Sequence, residues 1–441
     1  MHGRSRTVVA LAALVLAAGA WPAAAGQTVI LVGGSREAGK AAARRLGARW
    51  VRSLTVGFAR AARAMEGDPA ARVELRLAAG EYTGDLGSGA YAIPRLVAPR
   101  GALVVSGGWD ETFSRRDPFH HPSTVLATPE RSAPLWTFAR GSRVGQLIVD
   151  GLVWDSGPSN RYDRRSNSLL PGSSCTFPFV KFNYLETDRL AFLNCVFLNS
   201  AARVMEPLVR AMTPRAVIEF RNSIFLNDRI PLKLDSARFR NRPARIVVDR
   251  CSFLLDWPYD PDPGTGNRGA LELGPADAAR EIRITRNLFW ADIGGAIQAA
   301  HGRLPDLVIS GNDFVGNGLL HGRTEPDAGA MIVAVGGRMQ DIPVEMIEEV
   351  PAVVEAEGNV SVAPGIPLTV GSPTVVDSSR VRAEGGWENA VRRILGMNLQ
   401  GGRVAIHDFA PRKAYDPRHP PVPTVPAAAR YGADPDHLAT P

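Results

Sequence analysis

The chain has 441 residues, 45% of them hydrophobic and 22% charged, a composition that supports a large packed core and excludes global disorder. The formal net charge of +7 is modest for the length. It permits attraction to an acidic polysaccharide, but no dense Lys/Arg stripe interleaved with aromatics marks a nucleic-acid binder. With only three Cys, this is no disulfide scaffold.

Residues 1–25 read as a secretory signal peptide. His2, Arg4 and Arg6 give a basic start, Thr7 to Ala20 an apolar run, and Ala23-Ala24-Ala25 a small-residue cleavage pattern before Gly26. The run is too short to span a bilayer and nothing later is longer. The mature chain is therefore expected to be secreted or periplasmic, with no membrane span.

Residues 26–71 read as an N-terminal strand and a capping helix. Thr28 to Val32 is strand-like. The following Gly34-Ser35-Arg36-Glu37-Ala38-Gly39-Lys40-Ala41 matches a phosphate loop except that Ala41 stands where the Mg²⁺-binding hydroxyl belongs, so nucleotide binding is not expected. Arg52 to Met65 places Leu54, Phe58, Ala61, Ala62 and Met65 on one face. It reads as an amphipathic helix suited to covering the open end of a solenoid.

Beyond Arg72, Val73-Glu74-Leu75-Arg76-Leu77 alternates and runs into Ala78-Ala79-Gly80-Glu81-Tyr82. Leu103-Val104-Val105-Ser106-Gly107-Gly108-Trp109 follows, with Arg116-Asp117-Pro118 beyond. These stretches resemble the opening rungs of secreted pectate-lyase-like proteins. That resemblance implies an all-β, right-handed parallel β-helix, but no particular activity, since lyases, hydrolases, epimerases and adhesins share the scaffold.

A repeat read from the residues alone agrees. An alternating apolar strand leads to an aromatic at Trp154, Phe197, Phe225, Phe253, Phe289 and Phe314, at steps of 43, 28, 28, 36 and 25 residues. A base turn of about 25 residues with loop insertions fits. The coil is expected over 72–371, and an irregular Pro-rich segment packed on it over 372–441, with a short helix at Trp387 to Leu395. Equivalent side chains of stacked turns should form columns: Asn194 with Asn222, Asn287 with Asn312, and Cys195 with Ser223 and Cys251. The two Cys, two rungs apart, lie beyond disulfide reach. A partner for Cys175 stays open.

The candidate catalytic residues are a column. Asp228, Asp256 and Asp292 each follow an aromatic by three places, which stacks the carboxylates about 5 Å apart. Such a site could work as acid and base, as a glycosidase pair, or as a Ca²⁺ site. The bland alternative is that Asp at solenoid corners bonds backbone N–H groups. Candidate substrate-binding residues are the outward row Glu206, Lys233, Glu272 and Gln298, with Trp257, Tyr259 and Arg268 from an inserted loop. Asp260 and Asp262 in that loop are weak metal ligands. The lyases of the resembling family set basic residues against an acidic sugar proton. Arg229, Lys233, Arg268 and Arg323 lie near the column, but none matches a family catalytic motif. No zinc-type His spacing and no nucleophile elbow occurs. Two functions are expected to compete: a polysaccharide lyase, hydrolase or epimerase, and a non-catalytic glycan- or surface-binding β-helix.

Overall fold

A computed structural model describes residues 26–361, with interruptions of which 170–176, 235–242, 257–268 and 318–330 are the longest, then residues 431–434 and 436–440 and three short strands between. The signal segment, the 257–268 insertion, Cys175 and the helix expected at 387–395 lie outside the described residues.

The described chain begins with β1 (Gln27–Val32), α1 (Arg36–Leu46), β2 (Arg49–Val51), α2 (Leu54–Met65) and β3 (Arg72–Ala78). The three strands run parallel in the order β2-β1-β3. The phosphate-loop look-alike is thus the first half of a helix. Ser35 is its N-cap, accepting the Ala38 N–H at 3.3 Å. Gly39 is required because the Trp50 indole lies where a Cβ would sit, and that indole donates to Gly33 O at 2.8 Å. The second helix starts at its own cap, Ser53. It buries Leu54, Phe58, Ala61 and Met65, and Phe58 meets Tyr91 and Trp136 edge-on at 6.2 and 5.1 Å.

From β3 onward the described residues are mostly strand, interrupted by short 3-10 helices at Gly157–Ser159 and Val344–Glu349, with long all-parallel sheets, as in a parallel β-helix. The first sheet continues from β3 through Val97–Trp109, Ser142–Asp150, Arg189–Leu193, Val217–Arg221, Arg245–Asp249, Glu281–Thr285 and Asp306–Ser310 to Val353–Glu355. A second, nine-stranded sheet runs from Gly80–Tyr82 to Val360–Ser361. A third face holds Tyr91–Ile93, Trp136–Phe138 and Val180–Lys181. The Met205–Leu232 bridge and the Phe179 N–H bond to Val204 O join these to Leu232–Leu234, Leu271–Leu273, Ile297–Ala299 and Met331–Val335.

The register makes the columns. In the first sheet Phe192 pairs with Phe220, then Val248, Ile284 and Ile309, all buried. In the second, Phe197, Phe225, Phe253, Phe289 and Phe314 pair in succession. Their rings stack at 4.7, 4.8, 4.8 and 5.2 Å, within 15° of parallel. The strand spacing imposes that distance, and it is close to ideal for offset aromatic contact.

The first sheet meets the second at a one-residue corner in left-handed conformation. Gly151, Asn194, Asn222, Arg250, Arg286 and Gly311 occupy it with φ between 50° and 72°. One place on, Cys195, Ser223, Cys251, Asn287 and Asn312 form an inner ladder. The Cys195 N–H donates to Ser223 Oγ (3.1 Å), the Cys251 N–H to Asn287 Oδ1 (2.8 Å) and the Asn287 N–H to Asn312 Oδ1 (3.0 Å). Both Cys are free and buried, and burial pushes the Cys195 thiol up to about 12.

The last described segment lies along that corner. Gly432 N–H donates to Arg286 O, Ala433 N–H to Ser252 Oγ, Asp434 N–H to Asn222 Oδ1 and Ala439 N–H to Asn194 Oδ1. Residues 432–439 therefore run back across four rungs, against the direction in which the coil is built.

Phe225 sits in the middle of the ring column, fully buried. Phe225→Ala is expected to cost about 3–5 kcal/mol, read as a lower urea midpoint. A loss under about 1 kcal/mol, the range of a surface change, would mean the rings do not form the core.

Candidate functional site

Each Asp of the column follows a strand of the second sheet, so the register that stacks the rings also stacks the carboxylates. The contacts form one continuous ladder. The Ser200 N–H donates to Asp228 Oδ1 (2.8 Å), the Asp228 N–H to Asp256 Oδ1 (2.9 Å), the Asp256 N–H to Asp292 Oδ1 (3.1 Å) and the Asp292 N–H to Asn317 Oδ1 (3.0 Å). Asn317 closes it, its Nδ2 donating to Phe289 O at 3.1 Å.

The three carboxyl groups are buried, at 0, 1 and 0% exposure. One oxygen of each is occupied by the neighbouring rung. The second oxygens of Asp256 and Asp292 have no hydrogen-bond partner among the described residues. Burial, then the charges of Asp292 and Asp228, push the Asp256 carboxyl well above the usual carboxylate range. Burial does the same to Asp292. A protonated acid satisfies the ladder as well as an ion does, because the Oδ1 acceptor survives protonation. Asn317 makes the point within the same column: an amide fills the place of a carboxyl.

The outward row of the third face also assembles. Lys233 pairs in register with Glu272 and Glu272 with Gln298, and Lys233 Nζ lies 3.6 Å from Glu272 Oε1. The Met205–Leu232 bridge sets Glu206, half-buried, at the start of this row. Glu272 and Gln298 are only 8 and 5% exposed, so the row is a largely covered strip. Trp257, Tyr259, Asp260, Asp262 and Arg268, like Arg229 and Arg323, lie outside the described residues. Among the described residues no group of three or more His, Cys, Asp or Glu is placed to hold a metal ion. A shallow pocket at the last described rung is lined by Glu345, Glu348, Asn359 and Ser361, among others, and by none of the candidates.

Two arrangements escaped the sequence reading. The outer face of the first sheet carries a lattice of ion pairs. Arg189 and Arg221 share Glu219, Arg221 and Arg286 share Asp249, and Arg245 and Arg283 share Glu281. The outer face of the second sheet is apolar and buried: Val196, Leu198, Ile224, Leu226, Leu254, Leu288 and Trp290 are each at most 2% exposed. The signal for it was present, since Val196-Phe197-Leu198, Ile224-Phe225-Leu226 and Leu288-Phe289-Trp290 are apolar at every position, as strands covered on both faces are.

The ladder makes a signed pH prediction. The carboxyl pKa values of Asp256 and Asp292 are raised on folding, so their stabilisation is complete below the unfolded value of about 3.9 and is lost as pH rises through the folded value. Asp256→Asn keeps the Oδ1 acceptor and cannot ionise. Its melting temperature should exceed that of the parent chain at pH 8, with the gap closing toward pH 4. Asp256→Ala removes the acceptor and should be destabilising at both, by about 1–3 kcal/mol. Thermal melts of the three proteins across that range decide it; a parallel pH dependence for Asp256→Asn and the parent would show the column to be ionised.

Protein-family models, curated proteins and solved structures offer no match to this chain, so its function is read from the geometry above.

Proposed function

We propose that the protein is an exported, right-handed parallel β-helix that binds polysaccharide without cleaving it. The handedness follows the near-universal hand of parallel crossovers. In the same reading α2 closes the first rung, since it turns a wholly buried face onto Tyr91 and Trp136, and the 431–440 segment is a strap along the coil.

The observation that carries the non-catalytic reading is the ladder. The only stacked carboxyls that sequence reasoning offered as an acid–base set are buried to 1% or less, and each accepts a backbone N–H of its neighbour. A general acid must reach the substrate within hydrogen-bond distance or through one water, and these groups face the protein's own backbone. Binding asks less of the scaffold. Polar side chains repeated at the rung spacing give a long polymer many equivalent contacts, and rigid in-register sheets bind without ordering costs.

One observation favours the enzyme reading, whether lyase, glycoside hydrolase or epimerase: a carboxyl pushed above the usual carboxylate range beside a second carboxyl, as in Asp256 and Asp292, is what acid–base catalysis on sugars uses. Burial of the three carboxyls supports the binding reading over it.

The test is a panel of neutral and acidic polysaccharides offered to the full chain. Retardation in affinity electrophoresis with no new reducing ends and no unsaturated, ultraviolet-absorbing products is expected. Products formed by the parent chain and lost in Asp256→Ala, in protein that still melts cooperatively, would restore the enzyme. Retention by no polysaccharide would end the binding reading.

A further inference from the structure

The positive charge of this protein is not spread along the coil. Residues 26–72 hold nine Lys and Arg against three Asp and Glu, and two more Arg precede residue 26. Of the 51 basic and 44 acidic residues of the whole chain, the part beyond residue 72 therefore keeps 40 and 41. The entire excess of the region after residue 25 sits on β1, α1, β2, α2 and the start of β3.

The structure arranges these charges on two solvent faces at one end of the molecule. On α1, Arg36, Lys40 and Arg44 are exposed and fall four residues apart, a line with about 6 Å per step. At the end of the first sheet, Arg49 is exposed on the terminal strand β2. Arg52, just before α2, and Arg63 near its end are exposed, with the half-exposed Arg60 between them.

None of these residues has a carboxylate within ion-pair distance among the described residues. Beside them, Arg45 donates from its guanidinium to Thr112 O at 2.6 Å. Farther along, Arg76, Arg116, Arg143, Arg189, Arg221, Arg245, Arg283 and Arg286 each sit within 4.0 Å of a carboxylate. Other exposed arginines of the coil, Arg95, Arg100, Arg140, Arg215, Arg250 and Arg280 among them, have no such partner among the described residues, so the coil pairs about half of its arginines whereas α1, β2 and α2 pair none of theirs.

We propose that this end is a docking surface for an acidic polysaccharide, the exposed guanidinium groups of α1, β2 and α2 pairing with its carboxylates. This deepens the polysaccharide reading above and rests on it for the class of polymer. The geometry disfavours other polyanions. A lipid surface takes helices that present an apolar face, whereas α1 and α2 bury Ala42, Ala43, Leu54, Phe58, Ala61 and Met65, and expose only Leu46 and Val56 among large hydrophobics. Single-stranded nucleic acid takes aromatic platforms, and the one Trp of this end, Trp50, is tied to Gly33 O.

The experiment uses the full chain and four probes: polygalacturonate, neutral dextran, phosphatidylglycerol vesicles and duplex DNA. Two triple variants are made at solvent-facing positions, Arg36→Gln/Lys40→Gln/Arg44→Gln and Arg52→Gln/Arg60→Gln/Arg63→Gln, each checked against the parent by thermal melting. Polygalacturonate should be retained best. Its affinity should fall steeply as salt rises from roughly 0.1 M to roughly 1 M, where the Debye length shortens from about 10 Å to about 3 Å. Each variant should bind roughly tenfold more weakly at low salt.

Parent-like binding by both variants would overturn the assignment of this end while leaving glycan binding intact. So would equal, salt-insensitive retention on dextran. Vesicles or DNA bound as tightly as polygalacturonate would overturn the choice of polymer. Retention on neither polysaccharide would sink this inference together with the function it rests on.

Discussion

Parallel strands in register hold every side chain about 4.8 Å from its counterparts one turn above and below. That single spacing makes like meet like, and the rest of this molecule is a set of answers to it. For aromatic rings the answer is favourable without further arrangement, and Phe197, Phe225, Phe253, Phe289 and Phe314 stack nearly parallel. For amides and hydroxyls it is also favourable, because each can donate one way and accept the other, as Asn287 and Asn312 do. For charges it is unfavourable, and two different escapes are visible. On the open face of the first sheet the signs alternate between neighbouring columns and rungs, so that Glu219, Asp249 and Glu281 are each shared by two arginines. In the buried column Asp256 and Asp292 stand in succession with no opposite sign between them among the described residues, and both are driven toward the neutral acid instead.

The corner between the first and second sheets shows how one local demand recruits distant parts of the chain. A left-handed residue costs an L-amino acid about 1–2 kcal/mol unless it is Gly or Asn. Six successive rungs nevertheless place one there, twice an Arg. Arg286 is compensated by a two-pronged contact with Asp249, at 2.8 and 2.6 Å. Asn194 and Asn222 use the conformation more fully. The Asn194 amide donates to Asp150 and accepts from Asn222, and both also bond the 434–439 backbone. The corner is thus a turn, an interstrand ladder and a docking edge for the end of the chain.

How much of this was legible in the sequence follows from which interactions are periodic. The ring column, the Asn and Cys columns and the Asp column could all be placed by counting from each aromatic, because a solenoid converts sequence period into contact. The outward row from Glu206 through Lys233 and Glu272 to Gln298 came out for the same reason. What counting could not show is whether a column is exposed. The Asp residues read as backbone-bonded corners or as a catalytic set, since only burial and hydrogen bonding distinguish the two. The first helix was missed because Ala-rich, Arg-rich α1 buries only small residues, Gly39, Ala42 and Ala43, and so lacks the large apolar stripe that made α2 visible. The contacts of residues 432–439 carry no period at all. They match backbone N–H groups to polar side chains more than 170 residues away.

A repeating coil also determines where it can afford to be different. Any residue in the middle of the solenoid must suit two neighbouring turns, which is why unpaired charge is scarce on the first sheet. Only the end rung has a free side, and only there does a strand such as β2 have no strand beyond it. Edge strands need charge to discourage pairing with another chain, which accounts for Arg49. It does not account for Arg36, Lys40 and Arg44, which lie on a helix whose backbone bonds are already made, nor for Arg60 and Arg63 on α2. An edge guarded against aggregation asks for a residue or two on the edge. A charge excess spread over two helices and the strand between them is a surface, and its physical use is to meet the opposite charge.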